Sequence, residues 1–125
     1  MPVDISDVLW IVGRALLGFH FARAGIHHFT AIEPLTQTMA ARGVPAARVA
    51  LLTGSFFQTL CGVALILGFW PGWAALGLTL FTIVASFIFL DFWNKEGDAR
   101  TSAVGTWKTN LALIGGFLVA AAHSL

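Results

Sequence analysis

The chain has 125 residues, of which 58% are hydrophobic and only 10% are charged. Ordinary soluble domains carry about 25% charged residues, so a soluble globular protein is excluded and one membrane domain fits the length. The net charge of +1 and the absence of a basic stripe exclude a nucleic-acid partner, and the single cysteine excludes an internal disulfide and dithiol chemistry.

The first predicted element is an apolar segment at residues 8–28, which is interrupted by Arg14, His20 and Arg23. It is long enough to cross a hydrocarbon core, which takes roughly 20 helical residues. After it, the apolar residues Leu35, Met39 and Val44 lie in a polar stretch. Their spacing predicts a short amphipathic helix on the membrane surface, between the first two spans.

The next two elements come from the longest uncharged stretch. Residues 49–90 contain no Asp, Glu, Lys, Arg or His, and only the tetrapeptide Trp-Pro-Gly-Trp at 70–73 interrupts the apolar pattern. This stretch is long enough for two helical spans. It predicts spans at 46–70 and 73–92, folded back on each other at a Pro-Gly turn.

The last element is a span at residues 107–124, which follows an expected polar loop at 94–106. Together the segments predict an all-α integral membrane four-helix bundle that forms a single domain over residues 1–125. The five tryptophans all fall at predicted span ends, as expected of a side chain that prefers the headgroup level.

Lysine and arginine determine the expected orientation. They occur in the first and third connections, whereas the N-terminal tail, the turn at 70–73 and the C-terminus have none. By the positive-inside rule, both long connections face the cytoplasm. We therefore expect a multi-pass protein of a bacterial-type inner membrane with both termini on the external, periplasmic side. The basic residues concerned are Arg42, Arg48, Lys95, Arg100 and Lys108.

Polar side chains inside the spans are the candidates for function, because they are costly in hydrocarbon. His20 and Arg23 share one face of the first span, opposite a stripe of small residues at 18, 22 and 25 that suits close helix packing. Gln58 is the deepest polar group of the second span, at a depth similar to that of His20. We expect these three residues to border one interior cavity that binds a ligand; the alternative is a closed structural network in which they satisfy one another.

The remaining polar residues of the spans are expected at the membrane interfaces. Asp91 lies at the inner end of the third span, where it is expected to pair with Lys108 or Arg23. No metal site is expected, because His20 and His27 lie about 10 Å apart along one helix axis. The interfacial set comprises His27, His28, Asp91, Lys108 and Asn110.

Several short motifs occur along the chain in a recognisable order. They are Gly13-Arg14 with Gly18, Ala-Gly-Ile-His-His at 24–28, Gly-Val-Pro at 43–45, Gln58 with Gly62 and Gly68, Phe92-Trp93, and the run from Lys108 to Gly116. Over essentially its full length the chain resembles the DoxX-like family of small four-helix membrane proteins. The family commonly has Lys, Glu and His where this chain has His28, Gln58 and Leu90.

The resemblance implies a role beside redox partners, because the family takes its name from a subunit of a thiosulfate:quinone oxidoreductase. The leading interpretation is an accessory or anchor subunit in quinone-linked redox chemistry, not catalytic on its own, with a quinone as its ligand. Besides the lipid bilayer, its partner would be a redox protein or a second copy of the chain.

Two other functions stay open. The chain is alternatively a non-enzymatic interaction or assembly protein, whose intramembrane polar residues are structural. The third interpretation is a small transporter, which ranks last because that class usually needs a carboxylate deep in the membrane, and no Asp or Glu lies in the interior of a predicted span.

Overall fold

The computed structural model describes residues 4–125, and every regular element in that range is helical. Four of the helices are long and apolar enough to cross a membrane, and a shorter helix lies between the first two. This arrangement confirms the predicted membrane four-helix bundle. The helices are α1 (Ile5–His28), α2 (Ile32–Ala41), α3 (Ala47–Leu67), α4 (Pro71–Phe89) and α5 (Gly97–Ser124), with a 3-10 turn at Phe92–Asn94.

The turn between α3 and α4 follows directly from its sequence. Gly68 adopts a left-handed conformation (φ 76°) and ends α3, which is the usual role of glycine after a helix. Pro71 then occupies the first turn of α4, where its missing N–H costs nothing. The second span is therefore helical to Leu67, three residues short of its predicted end. The chain folds back between the two spans as predicted, but the turn is at residues 68–70, because Pro71 and Gly72 already belong to α4.

The expected polar loop at 94–106 is wrong over most of its length, because α5 already begins at Gly97. No proline interrupts the sequence after it, and Asp98 in the first turn favours a helix N-terminus. The helix has 28 residues and is therefore about 42 Å long, more than a hydrocarbon core of about 30 Å. Its polar first turns extend beyond the apolar part of the bundle.

Helices α1 and α3 pack with their backbones in close approach. Gly18, Ala22 and Gly25 are buried on this face of α1, as the small-residue stripe predicts. On α3, a Cβ atom added at Gly62 would lie 2.7 Å from the backbone nitrogen of Ala22 and 2.7 Å from the carbonyl oxygen of Gly18. The contact therefore requires glycine at position 62.

Two apolar clusters complete the packing. Leu65, Leu78 and Phe117 are fully buried and join α3, α4 and α5. Met39 on α2 packs with Leu51 on α3, and the predicted amphipathic residues at 35 and 44 pack against this second cluster. The short helix predicted between the first two spans is thus confirmed, with its apolar side against the bundle.

Arg14 connects α1 to the end of α3. Its Nη1 donates to the carbonyl oxygens of Leu65 (3.3 Å) and Ile66 (3.1 Å). Carbonyl groups in the last turn of a helix have no partner within the helix, and a cation there also interacts favourably with the helix dipole. This basic residue therefore caps α3 at the end of the bundle where the α3–α4 turn lies.

The start of α1 and the end of α5 lie side by side. The rings of Trp10 and His123 have their centroids 4.4 Å apart. Both ends of the described chain are therefore on the same side of the bundle, as an even number of spans requires.

Candidate functional site

A cavity of about 590 Å³ lies beneath α2, between α3 and α4, and we call it the inner cavity. Most of its wall is apolar, with side chains such as Met39, Leu51 and Phe81. Small-molecule sites in proteins are typically apolar cavities of about 300–1,000 Å³ with a few convergent polar groups. The polar residues that line the inner cavity are His28, Ser55, Gln58, Ser86 and Asn110.

Gln58 is the deepest of these polar groups, close to the middle of α3, and is only 3% exposed. Its Nε2 donates to the carbonyl oxygen of Phe21 on α1, at 3.0 Å. Its Oε1 is buried and has no hydrogen-bond partner among residues 4–125. The amide nitrogen thus links α3 to α1 by a hydrogen bond, whereas the amide oxygen accepts none from the described residues.

The other polar residues of the inner cavity form two pairs between helices. Nδ1 of His28, at the end of α1, lies 3.0 Å from Oγ of Ser55 on α3. Nδ2 of Asn110 on α5 donates to Oγ of Ser86 on α4, at 2.9 Å. His28 and Asn110 were expected only as interfacial residues, and both line the inner cavity.

A charged cluster lies at the end of α4, next to the inner cavity. Asp91 contacts Arg42 (Nε to Oδ2, 3.4 Å) and Lys95 (Nζ to Oδ1, 3.4 Å). The prediction that Asp91 pairs with Lys108 or Arg23 is therefore wrong. The chain after α2 brings Arg42 over the end of α4, and the lysine follows four residues after the aspartate, so nearer cations occupy the carboxylate.

His20 and Arg23 lie outside the inner cavity. Both are exposed on the face of α1 that points away from α3. The His20 ring packs edge-on against Phe21 (centroids 5.3 Å apart), and Arg23 makes no hydrogen bond or ion pair with any residue in the described range. The expectation that His20, Arg23 and Gln58 border one cavity is wrong, and so is a closed network among them.

The reason is the orientation of α1 about its own axis. Because its small residues must face α3, the opposite face, which carries His20 and Arg23, points outward. His20 instead lines a second cavity of about 690 Å³, between α1 and α5. Trp10, Arg14 and His123 line the same cavity, so it lies toward the end of the bundle where the described chain begins and ends.

Ser55 and Ser86, which are 2% and 1% exposed, were not predicted from the sequence as site residues. The available signal was spacing, since Ser55 lies three residues before Gln58 and so on the same helix face. Hydroxyl groups in a span are ambiguous, however, because many bond to their own helix. Thr82, for example, donates to the carbonyl oxygen of Leu78 at 2.7 Å and offers nothing to a ligand.

Comparison with known proteins adds one finding to this geometry. No curated protein and no solved structure matches the chain. A family model described as DoxX matches residues 9–91, which include α2, α3, α4 and most of α1, whereas α5 lies outside the match. Because the match covers more than half of the 125 residues, the chain belongs to the DoxX family.

Proposed function

We propose that this protein is an accessory or anchor subunit in quinone-linked redox chemistry, and that its inner cavity holds the ring of a quinone-type ligand. The observation that supports this most directly is the inner cavity itself, whose wall is mostly apolar and carries a few polar groups, as is typical of small-molecule sites. These polar groups come from α1, α3, α4 and α5, so the cavity lies where the helices of the bundle meet.

A second observation favours an interaction role for the outer face of α1. Arg23 lies in a predicted span, is exposed, and has no partner within residues 4–125. A charged side chain in hydrocarbon is costly unless it is paired. The same face carries His20 and Ile26, so it would suit docking of a redox partner or a second copy of the chain. This role is compatible with that of an anchor subunit.

The transporter interpretation gains no support from the cavities. The residues that line the two cavities include no Asp or Glu. Asp91 is near the inner cavity, but both of its carboxylate oxygens already face cations. A proton-coupled or ion-coupled path would have to be built without a carboxylate in either cavity.

Bound quinone tests the proposed function. We expect protein purified in mild detergent to carry quinone, and Ala85→Phe to retain at least roughly tenfold less of it than the matched variant His20→Leu, which changes the other cavity. The reason is that the phenylalanine ring would occupy the space of the ligand in the inner cavity. Solvent extraction and mass spectrometry measure the bound quinone. Quinone that is absent from the wild type, or lost equally in both variants, would contradict the proposal.

We also propose that both ends of the chain face outward, because the basic connections are expected in the cytoplasm. Ser102 and Ser124 are both exposed on α5 and lie about 33 Å apart along its axis. We expect Ser124→Cys to react with an impermeant thiol reagent in intact cells, and Ser102→Cys only after permeabilisation. The unsubstituted chain, with Cys61 alone, gives the background. The reverse pattern would invert the proposed orientation.

A further inference from the structure

Arg23 lies deep in the membrane-spanning part of the bundle. The carbonyl oxygen of Phe21, two residues before it, accepts the hydrogen bond from Gln58, which is close to the middle of α3. Two residues after it, a Cβ atom added at Gly25 would lie 3.1 Å from the carbonyl oxygen of Ser55, also in the middle turns of α3. Arg23 is therefore level with the middle of α3, about 12 Å or more along the helix axis from either end.

The side chain of Arg23 has no acceptor at this depth. It is exposed on the outer face of α1, and it makes no hydrogen bond or ion pair with any residue in the range 4–125. Long cationic side chains near helix ends can reach the membrane surface, but helical side chains lean toward the N-terminus of their helix. For Arg23 that direction leads away from the nearer end of α1, at His28. The charge therefore needs a partner from outside the bundle.

A second copy of the chain does not supply that partner. All six acidic residues lie in the first turns of helices or between helices, so a copy in the same orientation has no carboxylate at the depth of Arg23. In a symmetric dimer through the outer face of α1, the two copies of Arg23 would instead approach each other, and like charges repel. The acidic residues are Asp4, Asp7, Glu33, Asp91, Glu96 and Asp98.

We infer that the outer face of α1 docks a membrane-spanning helix of a different protein, and that this helix carries an Asp or Glu near the middle of the membrane. The carboxylate would pair with Arg23, whose planar guanidinium group binds carboxylates through two parallel hydrogen bonds. Phe19 and Ile26 lie one turn before and after Arg23 and are 59% and 58% exposed, so they provide apolar contact on either side. This inference rests on the proposed anchor role and names the chemistry of the partner.

The experiment uses a synthetic transmembrane peptide as the probe. It has about 21 leucine and alanine residues, one central glutamate and a terminal dansyl group, and a peptide with glutamine instead is its control. Full-length protein is reconstituted with either peptide in phosphatidylcholine vesicles at pH 8, and energy transfer from its five tryptophans to dansyl measures binding. We expect the wild type to bind the glutamate peptide at least roughly tenfold more tightly, and Arg23→Leu to bind both peptides equally.

A matched variant tests whether the face of α1 matters or only the charge. Leu118 on α5 is 49% exposed and follows Phe117, whose ring centroid is 4.9 Å from that of Phe21, so it lies at nearly the depth of Arg23. Combining Arg23→Leu with Leu118→Arg moves the cation to another helix. We expect its preference for the glutamate peptide to fall below roughly threefold. A preference as strong as that of the wild type would show that the outer face of α1 is not a docking site.

Other results would also overturn the inference. It is wrong if the wild type binds both peptides equally, or if added phosphatidylglycerol abolishes the preference, since an anionic headgroup would then be the partner of Arg23. It is wrong as well if copies of the protein associate with each other and Arg23→Leu abolishes that association. Bound quinone is measured separately. Quinone in the wild type with equal binding of the peptides would leave the proposed ligand intact, whereas a clear preference without quinone would contradict only that ligand.

Discussion

Gly62→Leu is expected to destabilise the bundle by forcing α1 away from α3. A Cβ atom at position 62 meets the backbone of α1 at Gly18 and Ala22, and backbone atoms cannot rotate away as a side chain can. Helix α1 must therefore move off α3. Overpacking costs typically 1–3 kcal/mol, and here we expect the upper end or more, because the shift also breaks the bond from Gln58 to Phe21.

The measurement is thermal unfolding in mild detergent. For a chain of this size 3 kcal/mol corresponds to a lowering of Tm by roughly 10 °C. Gly115→Leu is the matched control on α5, because a Cβ atom added there meets nothing within 4 Å. We expect that control to stay within about 2 °C of the wild type. If Gly62→Leu unfolds at the wild-type temperature, the close approach of α1 and α3 is incorrect.

The spans were predictable because every helix that crosses the hydrocarbon core must be predominantly apolar along its length. A long apolar run indicates a span whichever residues it contains, and Gly68 and Pro71 determine where one helix ends and the next begins. The start of α5 was not predictable in the same way. Its first turns are polar, and hydropathy cannot distinguish a polar helix that extends into water from a polar loop.

For the residues of the candidate site, the depth in the membrane was predictable from the sequence, but the direction of the side chains was not. Depth follows from position along a span, so Gln58 was correctly identified as a deep polar group. The direction in which a side chain points depends on how each helix is rotated against its neighbours. The small residues of α1 already placed His20 and Arg23 on the opposite face, and the close packing of that helix on α3 turns this face outward.

Ser86 and Asn110 show why the remainder of the site needed a structure. They lie on α4 and α5, 24 positions apart, and meet only because those two helices pack together. The ion pair of Asp91 at the end of α4 was unpredictable for the same reason. Its partner Arg42 comes from the connection after α2, whose path over the end of α4 has no signature in the sequence.

Gln58→Glu is expected to make the stability of the bundle depend strongly on pH. Only a protonated carboxyl can replace the amide nitrogen as donor to the carbonyl of Phe21, so the folded state needs the neutral form. An ionised carboxylate at this 3% exposed position would be a buried charge with no cationic partner. Such a charge typically costs 3–5 kcal/mol.

The direction in which the stability of Gln58→Glu changes with pH follows from proton linkage. In the unfolded chain the new carboxyl ionises near pH 4, whereas the folded state favours the protonated form, so stability is retained at low pH and lost as the pH rises. We expect Tm at pH 5 to lie within a few degrees of the wild type, and Tm at pH 8 to lie roughly 10 °C below it.

Gln58→Leu is the control that separates this effect from loss of the hydrogen bond alone. It removes the donor without adding a titratable group, so its difference in Tm from the wild type should be the same at pH 5 and pH 8. Equal stability of Gln58→Glu at both pH values would mean that side chain 58 reaches water instead of the carbonyl of Phe21. The buried hydrogen bond between α3 and α1 would then be incorrect.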